Sequence, residues 1–503
     1  MCQVTLEMVS VDAAMEDEAT HLSRTDPTAR LYQKTRIDHW DGVARKLASG
    51  PIGMGNYYHQ QLEHYHTLLV SPGMRVLEIG CGTGDLLAAM KPAVGVGVDF
   101  SEEMIKQARQ KHPELRFIQA DAHELLLDGQ FDVIVLSDLV NDLWDVQAVF
   151  RRIAPLAHPR TRLIVNTYSY LWAPLLATAQ RLGLSKSTLE QNWLTVEDLI
   201  NLLGLTDFQV IKHSPEILLP LPLPFLSKLA NRFLVKLWPF YLAALTNFVV
   251  ARPTKLPKPN SALKEPRVSV IIPARNEAGN IERIFTRTPS MGSSTELIFV
   301  EGHSRDDTYA AIERAMRRYP HWPCRLLKQT GQGKGDAVRL GFTEASGDIL
   351  MILDADLTVP PEDLPCFYEA LVSGKGEFIN GVRLVYPMQR QAMRFVNIIG
   401  NKCFSFAFSW LLKQPIKDTL CGTKVLWKRD YDLIAANRSY FGDFDPFGDF
   451  DLLFGAAKLN LKIVELPIRY RERTYGTTNI QRWKHAWLLL RMVLFAARRI
   501  KFV

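Results

Sequence analysis

Two aspartates at the end of an apolar run are the residues of this chain best suited to chemistry. Residues 350–361 read LMILDADLTVPP, so Asp354 and Asp356 end a run that stops at two prolines. Such a run predicts a buried strand that carries both carboxylates on the same side, at its C-terminal end. Open α/β sheets bind ligands at that edge. Paired carboxylates there suit Mg²⁺ or Mn²⁺ bridging a diphosphate, although an acidic surface turn is the commoner meaning of Asp-x-Asp.

Polar residues also follow two upstream strands. Residues 267–273 and 296–300 are apolar and predict strands, and a glycine-rich turn further on carries one lysine, Lys334. This order of motifs resembles the family 2 glycosyltransferases, which use the GT-A fold. Within that family, residues 267–503 look most like the dolichol-phosphate mannosyltransferase branch, whose acceptors are polyprenyl phosphates.

The resemblance implies a site for a nucleotide-sugar donor (a GDP- or UDP-sugar) and for a divalent metal. The implied donor-binding residues are Pro273, Arg275, Glu277, Glu301, Ser304, Asp306, Lys334 and Asp354. The implied metal ligands are Asp354 and Asp356. The family usually has two aspartates where this chain has Glu301-Gly302, which leaves the nucleotide base open. Thr358 stands at a position that is often Gln, so water is an alternative third metal ligand.

The same resemblance assigns catalysis to Asp356, Asp451 and Arg473. A hydroxyl acceptor would need Asp451 as general base, whereas a phosphate acceptor is already ionised near neutral pH and would need it only for positioning. The planar fork of Arg473 suits a phosphate. Gly476 fits the family pattern, but Asn479 stands where a lysine is usual. Ordinary surface ion pairs remain the alternative for Asp451 and Arg473. Arg383 and Arg390 lie in a region that approaches the lipid acceptor in the family; for Arg390, a solvated basic face on a helix is the alternative.

A different signature lies in the N-terminal half. Residues 76–84, VLEIGCGTG, predict a strand, a glycine turn and then a helix. Glycines let the backbone approach a ligand closely, and the helix offers its N-terminus. The next strand, residues 94–98, ends in Asp99, which is placed to accept both hydroxyls of a ribose. A third strand ends beside Asp121, and a fourth ends in Ser137-Asp138.

This half resembles a class I S-adenosylmethionine (SAM)-dependent methyltransferase with a Rossmann-like sheet. The resemblance implies that SAM is bound by Glu78, Gly80, Gly82, Gly84, Asp99 and Asp121. A dinucleotide dehydrogenase is the rival, but its Gly-x-Gly-x-x-Gly spacing is absent. No catalytic base can be named, because His123, Asp142 and Tyr168 near strand ends are each more often structural. A scaffold that binds the cofactor without chemistry is a further alternative.

The domain organisation follows from length and composition. A chain of 503 residues exceeds one ordinary domain. The predicted fold class is α/β with two domains, a Rossmann-like methyltransferase sheet and a GT-A nucleotide-sugar-binding domain. The predicted boundaries are residues 1–252 for the first, 253–266 for a Pro-rich linker, and 267–503 for the second with a C-terminal basic amphipathic helix.

Two apolar segments raise the question of a membrane. Residues 218–241 are broken by prolines and three cations; packing on protein is slightly favoured over contact with lipid. Residues 480–503 carry six Lys or Arg, no acid, and several aromatic residues, so the segment either lies in a membrane interface or packs on the sheet. No stretch reads as a transmembrane helix.

Composition narrows the function. Six cysteines without a Cys-x-x-Cys pair, and no secretory signal pattern, predict reduced thiols in the cytoplasm. The net charge of +7 comes without a nucleic-acid-binding module, so no nucleic-acid partner is expected. We therefore expect a bifunctional transferase that contacts the inner face of the cell membrane peripherally. It would methylate an unknown acceptor and, with inversion, transfer a sugar to a polyprenyl phosphate or to a glycan hydroxyl.

Overall fold

The computed structural model describes residues 27–48, 55–181, 189, 191–254, 265–383, 395–438, 449–468, 470, 471, 473, 475 and 482–502. The chain divides into two compact units, Met1–Lys255 and Leu256–Val503. We call them the N-terminal and the C-terminal unit. Each contains one seven-stranded sheet among its described residues.

The N-terminal sheet has the order β3-β2-β1-β4-β5-β7-β6. Its strands are β1 Arg75–Ile79, β2 Val94–Asp99, β3 Arg116–Gln119, β4 Phe131–Ser137, β5 Ala157–Tyr168, β6 Phe208–Glu216 and β7 Thr246–Pro253. Strand β7 runs antiparallel to β5 and β6, and the other pairings are parallel. The carboxyl ends of β1, β2, β4 and β5 therefore meet at one edge.

Helices cover both faces of this sheet. They are α1 Pro27–Ala48, α2 Gly55–Leu69, α3 Asp85–Ala89, α4 Glu102–Lys111, α5 Val146–Ile153, α6 Ala173–Arg181, α7 Val196–Gly204 and α8 Leu226–Arg232. Leu77 and Ile79 enter the core on one face, and Val76 enters the core on the other. This alternation follows from the two-residue period of a strand, and burial on both faces explains why these strands are apolar runs.

The C-terminal sheet has the order β10-β9-β8-β11-β13-β12-β14. Its strands are β8 Val268–Ala274, β9 Thr295–Glu301, β10 Cys324–Lys328, β11 Ile349–Ile352, β12 Phe378–Val382, β13 Lys424–Trp427 and β14 Ile463–Pro467. Strands β8 to β11 are parallel, and β13 is antiparallel to both of its neighbours.

The helices of this unit pack on two cores, one on each side of the sheet. They are α9 Ile281–Arg287, α10 Thr308–Arg318, α11 Lys334–Glu344, α12 Leu364–Val372, α13 Phe395–Leu412, α14 Lys428–Ala436, α15 Asp449–Lys458 and α16 Arg482–Ala496. A π-helical turn, Ala497–Lys501, follows α16.

The structure corrects two predicted boundaries. Strand β11 ends at Ile352, so Asp354 and Asp356 lie in the following turn rather than on one side of a strand. The reason is a turn closed by Leu357 N and Asp354 O at 3.1 Å, which buries Ala355 and Leu357 in the core. Strand β7 runs to Pro253, so the first residue of the predicted linker belongs to the sheet. The rest of the linker stays a prediction, because residues 255–264 lie outside the described part of the chain.

Both apolar segments are packed on one side and exposed on the other. Residues 217–245, which we call the apolar insertion, bury Ala230 and Val235 but expose ten large apolar side chains, so packing accounts for only part of it. Helix α16 buries Met492 and exposes Trp487 and Leu494. Within the described ranges, none of the helices combines the length and the apolar character needed to cross a bilayer.

Candidate active sites

The glycine turn after β1 adopts the conformation that its residues permit. Gly80, Gly82 and Gly84 have φ values of +75°, +51° and +79°, in the left-handed region that side chains with a Cβ rarely adopt. The backbone N–H of Gly80 donates to Val98 O at 2.7 Å, which fastens the turn to β2. Gly84 is the N-cap of α3. The turn therefore lies at the sheet edge where β2 ends.

Asp99, at the end of β2, is held by this turn. Its Oδ2 accepts from Gly82 N at 2.9 Å, and its Oδ1 accepts from Ser101 N at 2.9 Å. Burial raises the pKa of Asp99 to about 6, although the two N–H donors oppose the rise. A carboxylate offers about four lone-pair positions, so Asp99 keeps acceptor capacity for further donors such as ribose hydroxyls.

A cavity of about 290 Å³ opens beside Asp99. Three of the six predicted cofactor residues line it: Gly80, Asp99 and Asp121. Asp121 Oδ1 accepts from the backbone N–H and from Nδ1 of His123, both at 2.7 Å. Burial opposes ionisation of Asp121, but the His123 contacts outweigh it and lower the pKa of the carboxyl group.

The other three predicted cofactor residues do not line the cavity: Glu78 lies in β1, and Gly82 and Gly84 belong to the glycine turn. Glu78 is buried, and its Oε2 has no hydrogen-bond partner within the described structure. Burial, and next the nearby charge of Asp99, raise the pKa of Glu78 well above its usual value. A direct contact of Glu78 with a cofactor stays a prediction.

Helix α1 lines this cavity. Its residues were not predicted from the sequence to belong to the site. It contributes lining residues including Tyr32, Gln33 and Arg36. Gln33 Nε2 donates to Asp121 Oδ2 at 2.7 Å, and Arg36 Nε donates to Asp142 Oδ1 at 2.9 Å. Asp142 thus ties α1 to the sheet edge, in agreement with a structural role. The contacts join residues about a hundred positions apart, so no local pattern could reveal them.

A second carboxylate centre, the Asp138 cluster (Asp138, Tyr58, Asn166 and Tyr168), lies at the ends of β4 and β5. Asp138 has a φ of +54°, and the next residue, Leu139, lines the cavity. Asp138 accepts from Tyr58 Oη at 3.0 Å, from Tyr168 Oη at 2.9 Å, and from Asn166 Nδ2. Burial raises the pKa of Asp138 to about 6, against these donors. A left-handed, non-glycine carboxylate beside a cavity is a feature typical of functional sites.

In the C-terminal unit, both predicted metal ligands are ion-paired. Lys334 Nζ lies 2.6 Å from Asp354 Oδ1, and Arg473 Nη2 lies 2.6 Å from Asp356 Oδ2. Burial opposes ionisation of Asp354, but Lys334 outweighs it and lowers the pKa of the carboxyl group. Asp356 Oδ1 also accepts from the N–H and hydroxyl of Thr358, at 3.1 and 2.8 Å.

Arg473 contacts two of the other predicted residues. Besides Asp356 it contacts Glu277 Oε1 at 3.3 Å, across 196 positions of sequence. The segment that carries Arg473 runs against the residues that follow Asp356, because Arg471 N donates to Thr358 O at 2.9 Å. Burial raises the pKa of Glu277 to about 7, although Arg473 opposes the rise.

The other predicted donor-side residues form a chain of local contacts. Asp306 Oδ2 accepts from Ala278 N and from Tyr475 Oη, each at 3.3 Å. Ser304 Oγ accepts from Asn276 N at 3.0 Å, and Ser304 N donates to Glu301 Oε1 at 2.5 Å. Pro273 lies within β8, and Arg275 follows that strand with an exposed side chain.

Gly422 brings residues 418–424 against Asp354 and Lys334. A Cβ at this position would overlap Asp354 Oδ2 and Lys334 Nζ. The segment is anchored by Asp418, which is fully buried and accepts from Arg383 Nε and Nη2 at 2.7 and 2.8 Å. Arg383 therefore supports this segment through its contact with Asp418.

Asp451 lies on α15 and pairs with Arg438, whose Nε is 2.8 Å from Asp451 Oδ2. Arg438 also donates to Tyr431 Oη at 3.3 Å. Asp451 is buried, so this ion pair is not the ordinary surface pair that was the alternative for it; a catalytic role for Asp451 stays a prediction. The predictions for Arg390, Gly476 and Asn479 lie outside the described residues.

The donor set suits a hard divalent cation. Across the described residues, no group of three or more His, Cys, Asp or Glu side chains could hold a metal ion. Mg²⁺, however, is commonly bound by one or two carboxylates together with substrate phosphates and water. Asp354 and Asp356 meet that requirement, so the residues present fit a metal that arrives with a diphosphate.

Comparisons with known proteins agree with this division. A sequence profile described as Glycosyl transferase family 2 matches residues 269–432, and one described as Methyltransferase domain matches residues 70–202. The chain therefore carries a methyltransferase domain and a family 2 glycosyltransferase domain. The α/β class with two domains, predicted from the sequence, is confirmed.

Curated relatives match the C-terminal half. A dolichol-phosphate mannosyltransferase of Pyrococcus furiosus is 39% identical over 220 residues, which cover 43% of this chain and 59% of that protein. An undecaprenyl-phosphate 4-deoxy-4-formamido-L-arabinose transferase of Shewanella sediminis is 33% identical over 102 residues, 20% of this chain and 31% of that protein. This chain thus spans less than two thirds of either relative.

Solved structures show weaker likeness. Glucosyl-3-phosphoglycerate synthase of M. tuberculosis is 19% identical, with 47% of this chain and 81% of that chain covered and a TM-score of 0.35. A methyltransferase complex of Haloferax volcanii is 17% identical, with 42% and 97% covered and a TM-score of 0.34. At these scores the likeness supports no further conclusion.

Proposed function

We propose that this chain is a bifunctional transferase. Its C-terminal unit transfers a sugar, with inversion, from a GDP- or UDP-sugar to a polyprenyl phosphate. Its N-terminal unit transfers a methyl group from SAM to an acceptor that is not yet identified. The observation that carries the first activity is the pairing of Asp354 with Lys334 and of Asp356 with Arg473 at one site.

The charges of this site suit a diphosphate leaving group. A divalent ion held by Asp354 and Asp356 would neutralise the charge that develops on the departing diphosphate. Lys334 and Arg473 each lie 2.6 Å from one of these carboxylates, and both cations are therefore within reach of phosphate oxygens bound there. Glu277 accepts from Asn280 Nδ2 at 2.8 Å, and this contact positions it beside Arg473.

A phosphate is the acceptor that these residues favour. A hydroxyl acceptor needs a general base, and the candidate, Asp451, is buried and paired with Arg438. A phosphate is already ionised and needs a cation, which the fork of Arg473 supplies. The relatives named above are described as dolichol-phosphate and undecaprenyl-phosphate transferases, which supports the same choice.

In the N-terminal unit the cavity beside Asp99 and Asp121 is the proposed SAM site. SAM supplies an electrophilic methyl group when bound. Asp99 would accept from its ribose hydroxyls and Asp121 from its adenine amine. Asp138, whose neighbour Leu139 lines the cavity and whose pKa burial raises to about 6, is the proposed group that takes the proton from the methyl acceptor.

We further propose that the chain works at the cytoplasmic face of the cell membrane, since a polyprenyl acceptor cannot leave the bilayer. Helix α16 supports this placement, because Trp487 and Leu494 are exposed at 63% and 56%. Arg498 and Arg499 follow the helix and suit anionic headgroups.

The test is transfer of radiolabelled sugar from a GDP- or UDP-donor to a short polyprenyl phosphate in detergent, followed by partition into organic solvent. We expect label in the organic phase with the native chain and loss of it with Asp354→Asn. Asp307→Asn is the matched control, because that carboxylate lies in the same unit with a side chain that is 79% exposed. Label that enters only water-soluble glycans would refute the lipid acceptor.

A further inference from the structure

The apolar insertion, residues 217–245, presents an unusually large exposed apolar surface. It joins the end of β6 at Glu216 to the start of β7 at Thr246. Its exposed large apolar residues are Leu223, Phe225, Leu226, Leu229, Phe233, Leu237, Trp238, Phe240, Tyr241 and Leu242. Phe225 is 90% exposed and Trp238 is 75% exposed. Exposed apolar patches of this kind mark surfaces that bind protein or membrane.

The exposed side chains stand on a well-anchored base. Asn231 Nδ2 donates to Leu219 O at 2.8 Å, and Asn231 Oδ1 accepts from Leu219 N at 2.7 Å. Tyr65 Oη, from α2, donates to Asn231 O at 3.2 Å. Lys236 forms a buried ion pair with Glu216. These contacts hold the insertion to the sheet, so its apolar face is directed outward by the fold.

The charges of the insertion select one kind of partner. Its only charged residues are Lys228, Arg232 and Lys236, so it carries no acidic group. Lys236 is buried in its ion pair, whereas Lys228 is exposed and Arg232 half-buried beside the apolar residues. Protruding aromatic and aliphatic side chains flanked by cations match a bilayer with anionic headgroups.

The insertion lies at the same sheet edge as the proposed methyl-transfer site. Thr246, its C-terminal neighbour, pairs with Tyr168 at the end of β5. Thr246 Oγ1 also lies 3.2 Å from Tyr58 Oη, and both tyrosines donate to Asp138. The base of the insertion is therefore in contact with the Asp138 cluster.

We infer that the apolar insertion docks the N-terminal unit on an anionic lipid bilayer, and that the methyl acceptor is itself a membrane lipid with a nucleophilic headgroup. The second part rests on the proposed methyltransferase function; the first does not. In the transfer, the headgroup heteroatom bonds to the methyl carbon as the carbon–sulfur bond of SAM breaks. The headgroup proton passes to Asp138, and S-adenosylhomocysteine leaves.

Docking is tested with the full chain and vesicles of phosphatidylcholine and phosphatidylglycerol whose acyl chains carry bromine. Bromine quenches tryptophan fluorescence only on contact, so Trp238→Phe should remove part of the quenching. Trp487→Phe measures separately how much of the quenching comes from helix α16. Phe225→Ser combined with Leu229→Ser should weaken vesicle partition by about tenfold, because two apolar side chains leave the bilayer. Leu126→Ser is the matched control, at 83% exposure in the same unit.

The outcomes separate docking from catalysis. Docking would be overturned if Trp238→Phe left the quenching unchanged and the Phe225→Ser/Leu229→Ser variant partitioned into vesicles as the native chain does. The double variant could instead change the oligomeric state while the native chain fails to bind vesicles. That result would assign the apolar face to contact with a second copy of the chain and would also overturn docking on lipid. Calorimetry with S-adenosylhomocysteine judges the methyltransferase function independently. The acceptor is tested by incubating the protein with methyl-labelled SAM and cell lipids. If the label appears only in water-soluble product, the lipid acceptor is refuted.

Discussion

Arg473 Nη2 lies 2.6 Å from Asp356 Oδ2, so the residue expected to grip the acceptor phosphate is in contact with a residue expected to hold the metal. The two are 117 positions apart in the sequence. Because Arg473 also contacts Glu277, one guanidinium connects a predicted donor-binding residue with a predicted metal ligand. Loss of Arg473 would therefore remove one cation from two carboxylates at once.

The first prediction concerns the metal. Asp356→Asn, or excess EDTA with the native chain, should lower sugar transfer by at least about a hundredfold, because charge on the leaving diphosphate is no longer neutralised. Binding of S-adenosylhomocysteine, measured by calorimetry, should be unaffected. Asp307→Asn should retain transfer. Full transfer in EDTA would disprove a role for the metal.

The second prediction concerns Gly422. Gly422→Ala would place a Cβ on top of Asp354 Oδ2 and Lys334 Nζ, and the ion pair would have to separate. We expect at least a tenfold loss of sugar transfer with the fold preserved by circular dichroism, since displacements of about 1 Å in a catalytic site can cost a hundredfold. Gly204→Ala is the control, because a Cβ there meets nothing within 4 Å. Native transfer by Gly422→Ala would show that the Asp354–Lys334 contact is dispensable.

The third prediction concerns pH. Burial raises the pKa of Asp99 to about 6, and the ionised carboxylate accepts hydroxyl donors better than the neutral acid does. The affinity for S-adenosylhomocysteine should therefore rise with pH, by about tenfold from about pH 5 to about pH 7.5. Calorimetry at several pH values measures this. Asp99→Asn should bind weakly and without this dependence; an equal dependence in the variant would assign the titration to another group.

The fourth prediction concerns the Asp138 cluster. Asp138→Asn removes the proposed proton acceptor and should lower methyl transfer by about a hundredfold or more, with little change in affinity for S-adenosylhomocysteine. The native rate should rise with pH through about 6, because Asp138 must be ionised to accept a proton. Asp128→Asn, an exposed carboxylate of the same unit, is the control. A variant that keeps both the rate and its pH dependence would leave Asp138 a purely structural residue.

The fifth prediction separates the two roles of the C-terminal helix. Met492 and Ala496 are buried in the core, and Lys501 Nζ donates to Trp410 O at 2.8 Å. Deleting residues 482–503 should therefore unfold or strongly destabilise the C-terminal unit, as seen by circular dichroism. Trp487→Ser with Leu494→Ser should leave the fold intact and weaken binding to anionic vesicles. High salt should release only part of the native protein, because attraction between charges fades over about 10 Å at 0.1 M while apolar contact persists.

The local patterns of the chain were enough to predict its two families, its fold class and the groups of residues at each strand end. Glycines at 80, 82 and 84 and the aspartates at 99 and 121 can be read because each follows an apolar strand within a few residues. The direction of parallel strands then sends their carboxyl ends to one edge of the sheet. These are consequences of chain order, which a sequence contains in full.

The partners of those residues were decided only by the tertiary structure. Asp356 meets Arg473, Asp138 meets Tyr58, and Asp451 meets Arg438 through packing of separate elements. The sequence also could not show which side chains of the apolar insertion are buried, because buried and exposed apolar residues are of the same types and only the tertiary fold distinguishes them. Pairing and exposure depend on contacts between distant segments, whereas periodicity and turn chemistry are local, and this difference separates what could be predicted from what had to be observed.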